Sequence, residues 1–143
     1  VAHIDLMPTL AAASGAPHPQ ELEIDGRNLL PLTEGEGSAA WDRETLFWQS
    51  GHYRVVRHGD WKLQIAARPQ KHWLYNLADD PTEQVNLAGS SPEKLAELLA
   101  LLDAHEIGAR RPLYPPAAEI PIAIDKTLAE RFETGDEFIY WPN

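Results

Sequence analysis

His52 and Tyr53, adjacent in Gln49-Ser50-Gly51-His52-Tyr53, set a hydrogen-bonding imidazole beside an aromatic face, and Lys62 follows Trp61 with a cation able to meet an anionic group. The same residue types also make an ordinary polar turn and a solvated strand lysine. A nucleophile is harder to find. Ser90-Ser91-Pro92-Glu93-Lys94 offers a hydroxyl ahead of a cation, yet Ser, Pro and Glu in that order are what a helix start requires. The chain has no cysteine, which removes thiolate nucleophiles, thiolate metal ligands and disulfides together. His3, His18, His58, His72 and His105 lack the i, i+4 or short-loop spacing of a zinc site. Asp79-Asp80-Pro81 lacks the alternating carboxylates and closing Glu of a calcium loop and reads as a turn. No catalytic residue and no metal-ligand set is assigned.

The elements that must hold these residues change character along the chain. His3 to Ser14 spaces Ile4, Met7, Leu10 and Ala11 as one apolar helical face, with Pro8 tolerated near the first turn and Gly15 placed to end the helix. Gly15, Pro17, Pro19 and the pair Asp25-Gly26 read as loop and tight turn. Asn28 can cap a short helical turn through Leu29, Leu30 and Leu32, ended by Gly35 or Gly37, with a flexible link through Gly37 to Ala40. From Thr45 the pattern is that of strands, expected at Thr45 to Gln49, Tyr53 to Arg57, Trp61 to Ile65 and Trp73 to Tyr75, the second and third joined as a hairpin through Gly59. A Ser-capped helix then carries Leu95, Leu98, Leu99 and Leu102 in one stripe and stops before Gly108. The stripe needs the sheet as its partner. Pro112, Pro115, Pro116 and Pro121 break up the tail, Ile120, Ile122 and Ile124 alternate as an extended edge, and the aromatic end through Trp141 is expected to wrap back onto the domain or onto a surface outside this chain.

With 143 residues and 43% apolar content the chain suffices for one compact domain. A net charge of -10 opposes binding to nucleic acid. Six basic residues between Arg43 and Lys71 against Glu44 and Asp60 make the middle locally basic. No stretch approaches the roughly 18 apolar residues of a membrane span. The chain opens Val1-Ala2-His3 inside an apparent helix, as a piece of a longer polypeptide would.

Several motifs, in order, resemble the C-terminal portion of the type I, formylglycine-dependent sulfatases: His3-Ile4-Asp5-Leu6-Met7-Pro8-Thr9; Ile24-Asp25-Gly26-Arg27-Asn28-Leu29-Leu30-Pro31-Leu32; Leu46-Phe47-Trp48; Val55-Val56-Arg57-His58-Gly59-Asp60-Trp61-Lys62-Leu63; Trp73 through Ala88; and the end Asp136 to Asn143. The resemblance implies an α+β subdomain, a small four-stranded antiparallel sheet packed against one helix, over residues 45–108. Residues 1–44 would be a helical strip from the edge of the catalytic α/β domain, and residues 109–143 an extended Pro-rich tail. It implies a whole enzyme that hydrolyses sulfate monoesters, with formylglycine and Ca²⁺ both held by the missing catalytic domain, so that the isolated chain is inactive. His52 and Tyr53, on the turn that faces the active-site mouth in such enzymes, and Lys62 are then the substrate-proximal candidates. Asp5 and Thr9 would bond backbone around the helix start, and Trp61 would anchor the sheet against the catalytic domain. The family suggests a periplasmic or secreted location. Two other readings stay open: a related phosphate or phosphonate monoesterase of the alkaline phosphatase superfamily, and a noncatalytic carbohydrate-binding or assembly module using the aromatic tail and the Trp48/Tyr53 loop.

Overall fold

The structure is a computed structural model that describes residues 1–17, 21, 24–33, 35, 43–110, 113–114, 116–124, 126 and 129–142. The expected link Gly37 to Ala40, with His18, Pro19, Pro112 and Pro115, lies outside the described residues. The chain divides into two units, Val1–Asp42 and Arg43–Asn143.

In the first unit a 3₁₀ turn, His3–Asp5, runs into helix α1, Leu6–Ala13, and a short helix α2 covers Leu30–Thr33. The expected apolar face of α1 is not its buried one: Met7 and Leu10 are exposed, whereas Asp5 and Pro8 are buried. Polar bonds explain the reversal. The Asp5 carboxylate accepts from the N–H of Ala2 at 2.6 Å and from that of Arg27 at 2.9 Å. Thr9 Oγ1 donates to the Asp5 carbonyl at 2.6 Å and accepts from the Leu29 N–H at 2.9 Å. Asp5 and Thr9 thus stitch the returning segment to the helix as well as serving the helix start. Asp25-Gly26 forms no turn, and a Cβ on Gly26 would lie 2.0 Å from the Ile4 carbonyl oxygen, so close passage of two backbones is what requires glycine there. Asn28 caps α2 as expected, its Oδ1 accepting from the Leu30 N–H at 3.0 Å.

The second unit is an antiparallel sheet in the order β1-β2-β3-β4, formed by Thr45–Ser50, Tyr53–His58, Trp61–Ala67 and Gln70–Asn76. All three connections are tighter than expected, since strand pairing runs out to Ser50↔Tyr53, His58↔Trp61 and Ala67↔Gln70. Gly59 sits at φ +58, as a two-residue hairpin loop demands. Helix α3, Pro92–Gly108, follows. Ser91 makes no side-chain capping bond; its carbonyl accepts from the Leu95 N–H at 3.0 Å, and proline at the first helical position leaves one fewer donor to satisfy.

Alternation along a strand sends neighbouring side chains to opposite faces, and both faces here are buried. On one, Val56, Leu63, Ile65 and Leu74 meet Leu98 and Leu102 of α3, with Phe47, Trp61, Leu95 and Leu99 around them. Trp61 packs, partly buried, between the helix and the sheet. On the other, Tyr53, Val55, Ala66, Trp73 and Tyr75 meet Ile139, with Trp141 against them.

Ile139 arrives on a two-stranded ribbon, β5 (Glu119–Ala123) and β6 (Phe138–Pro142), paired from Glu119↔Pro142 to Ala123↔Phe138. The tail thus wraps back onto the sheet. It is tied there by Tyr140 N–H to the Arg68 carbonyl at 2.9 Å and by Ser50 Oγ to the Pro142 carbonyl at 2.6 Å. The Glu137 carboxylate receives the Lys71 ammonium at 2.5 Å and the Trp73 indole N–H. Among the described residues no helix is long and apolar enough to cross a membrane.

Leu98→Ala, emptying a fully buried site under the helix, is expected to cost about 2–5 kcal/mol in urea unfolding, while Ile107→Ala, on a side chain 89% exposed, stays within about 0.5 kcal/mol of the parent. The Lys71 and Trp73 donors hold the Glu137 carboxyl below its ordinary range. A depressed folded-state pKa adds stability above the ordinary carboxylate range, and that stability is lost as pH falls through the folded value. Melting followed from pH 7 to pH 3 should therefore fall less steeply in Glu137→Gln than in the parent, with Asp80 and Asp136, depressed by their own hydrogen bonds, contributing to the slope that remains.

Candidate functional site

The three sequence candidates lie on the second unit but not in one place: His52 and Tyr53 are at the β1–β2 turn, whereas Lys62, paired with Arg57, is toward the opposite end of the sheet. Tyr53 and Lys62 point to the ribbon face of the sheet, where a polar network crosses the strands. Tyr53 Oη donates to Gln64 Oε1 at 2.5 Å, Gln64 Nε2 donates to Glu83 Oε2 at 2.6 Å, and Lys62 Nζ meets the two Glu83 oxygens at 2.6 and 2.8 Å. Burial, with the Glu83 charge nearby, pushes the Tyr53 hydroxyl far above its ordinary pKa, so it stays protonated and keeps donating. Gln64 is 4% exposed and its amide is spent on both sides. Glu83 holds its place with φ +60, a left-handed backbone that a non-glycine residue adopts at a cost of about 1–2 kcal/mol. The Lys62 ammonium is thus clasped by a carboxylate.

His52 stands in the β1–β2 turn. Its Nδ1 accepts the Ala67 N–H at 3.3 Å, which places the proton of the neutral ring on Nε2. Nε2 lies 3.6 Å from Glu119 Oε1, too long for a hydrogen bond, and is buried with no hydrogen-bond partner among the described residues. Glu119 also takes Arg68 Nη1 at 2.8 Å, so imidazole, carboxylate and guanidinium form a chain across the end of the sheet. Beside His52 opens a polar cleft of about 590 Å³ lined by Gln49, Arg54, Gln70, His72 and Glu106 among others. Arg54 and Glu106 pair across it at 2.5 Å. Ser90 and Ser91, the serine candidates, lie at the start of α3, where Ser90 Oγ donates to the Leu87 carbonyl at 3.3 Å. Among the described residues no three His, Asp or Glu side chains converge as a metal site. The sequence has no cysteine to become formylglycine.

Sequence reasoning missed Glu83, Glu119, Glu137 and Asn86. Asn86 Oδ1 accepts the N–H groups of Leu74 and Ala88, and its Nδ2 donates to the His72 carbonyl, all at 3.0 Å, so its side chain substitutes for a neighbouring strand along the edge of β4. A carboxylate's charge is visible in sequence, but its partner far along the chain is not.

No family model matches the chain. A sulfatase from Formosa agariphila is 33% identical over 113 residues, covering 68% of this chain and 20% of that protein. Human arylsulfatase A is 32% identical over 129 residues, covering 68% of this chain and 25% of that protein. The solved structure of a 2-O GAG sulfatase superposes with a TM-score of 0.59 at 30% identity, over 72% of this chain and 24% of that one. The chain therefore spans about a fifth to a quarter of the length of these relatives. The sheet backed by one helix, the motifs along it and these likenesses agree: the chain belongs to the sulfatases and corresponds to the C-terminal portion of its relatives.

Proposed function

We propose that the polypeptide to which this chain belongs hydrolyses sulfate monoesters, and that the chain forms a noncatalytic wall at the mouth of a centre built by residues outside it. The family likeness carries the reading. Its support from geometry is that the cations and hydroxyls on the ribbon face are consumed by internal partners: Lys62 by Glu83, and Tyr53 by Gln64. In this reading residues 1–44 belong to the edge of the catalytic domain and residues 45–108 are the C-terminal subdomain, with residues 109–143 its tail. Formylglycine and Ca²⁺ belong to the catalytic domain, which is the chain's chief partner. His52, at the end of the sheet beside the polar cleft, is the side chain that approaches the substrate. Tyr53 and Lys62, substrate-proximal in sequence, act by fixing the strands beneath it.

Incubated with a chromogenic aryl sulfate and Ca²⁺, the 143-residue chain is expected to give no turnover above a buffer blank, and turnover would overturn the reading. In the longer enzyme, His52→Ala is expected to raise KM several-fold with kcat nearly unchanged, because it removes a contact without touching the reacting atoms; an unchanged KM removes His52 from the mouth. Tyr53→Phe leaves the buried Gln64 Oε1 without its donor, and is expected to lower unfolding stability by about 1–3 kcal/mol with kinetic constants close to the parent's.

A further inference from the structure

Beside the docked ribbon lies a second cleft, of about 520 Å³, within the roughly 300–1,000 Å³ range of small-molecule sites. Arg68, Lys71 and Trp73 at and after the β3–β4 turn form one wall, and Glu137, Phe138 and Tyr140 form the other. Alternation along β6 fixes this arrangement. Ile139 and Trp141 are spent on the sheet core, so Phe138 and Tyr140 stand on the other side of the strand. Their rings meet edge to face with centroids 5.8 Å apart, and they stay 42% and 41% exposed.

The rim carries matched charges. Arg68 is paired with Glu119 and Lys71 with Glu137, and Asp136 faces Lys126 at 2.9 Å. A strongly anionic ligand gains little from cations already neutralised by neighbouring carboxylates. A wholly apolar ligand would cover the rim charges without replacing the water that solvates them. The floor is mainly apolar and aromatic, so a ligand suited to both parts has one C–H face and a polar edge. A pyranose ring has that shape. Its hydroxyls are uncharged donors and acceptors, complementary to a rim of balanced charge. The Arg68 guanidinium, with side chain 67% exposed and Nη1 committed to Glu119, belongs to a group with five N–H donors in all.

We propose that this cleft is a saccharide-binding site separate from ester hydrolysis, in which an uncharged pyranose ring stacks on Tyr140 and Phe138 and exchanges hydrogen bonds with Arg68. It stands whether or not the longer polypeptide cleaves sulfate esters. Such a site holds a glycan chain by an unsulfated unit.

The test is calorimetric titration of the 143-residue chain with three neutral hexasaccharides, of galactose, glucose and mannose, and with a sulfated galactose hexasaccharide, each at low and at high salt. At least one neutral sugar is expected to bind saturably and with little dependence on salt. Tyr140→Ala is expected to weaken that binding at least tenfold and Arg68→Ala several-fold, while Tyr114→Ala, at a residue 81% exposed and outside the cleft, leaves it unchanged. Should Tyr140→Ala fail to fold by circular dichroism, Phe138→Ala replaces it with the same expectation. Failure of all three neutral sugars to bind, binding confined to the sulfated sugar and abolished by salt, or binding that survives loss of the aromatic pair would each overturn the proposal.

Discussion

A sheet with apolar side chains on both faces cannot rest on a single cover, and that constraint organises the second unit. Val55 and Val56 are consecutive, as are Trp73, Leu74 and Tyr75, and all five are buried. Since consecutive strand residues face opposite ways, water must be excluded from both sides. Helix α3 covers one side with Leu98 and Leu102, and the ribbon covers the other with Ile139 and Trp141. The polar network of Tyr53, Gln64, Glu83 and Lys62 shares the ribbon's face. It satisfies there the polar groups that a purely apolar cover would leave stranded.

Much of this was legible in the sequence, where it depended on neighbours. Short β-branched and aromatic runs, a glycine at the hairpin and a leucine stripe after Ser-Pro-Glu are local patterns, and the strands and α3 follow them within a few residues. The alternation of Ile120, Ile122 and Ile124 announced an extended segment. Nothing local announced that it pairs with Phe138–Pro142, because the partner is reached only by folding. Helix α1 departs from its sequence pattern for the opposite reason: its apolar stripe predicts a core face, whereas burial falls on Asp5 at its N-cap, whose carboxylate collects backbone N–H groups from Ala2 and Arg27. Burial by hydrogen bonding leaves no hydrophobic trace.

The candidate site divides the same way. That His52 occupies a turn at the end of the sheet could be read from Ser50-Gly51-His52, and Gly51 at φ +53 confirms the sharp bend. Its engagement with Ala67 and its approach to Glu119 could not, nor could the fate of Lys62, whose carboxylate clasp depends on Glu83 adopting a backbone conformation for which glutamate has no preference. Chemistry that sequence motifs seemed to scatter over the chain is, in three dimensions, mostly internal bonding. The chain contributes surfaces, and a surface is set by packing partners distant in sequence.

The seam between ribbon and sheet joins Ser50 to Pro142 across 92 residues and Lys71 to Glu137 across 66. The hairpins of the main sheet and helix α3 assemble from near neighbours, whereas the seam must close long loops, whose entropy has to be overcome before the contacts form. Loop closure makes docking of the ribbon the slower step to be expected, and until it docks Val55, Trp73 and Tyr75 stay wet on one side. In the interval the nascent chain presents an aromatic β-surface, the kind of exposed area that chaperones engage and that drives premature self-association.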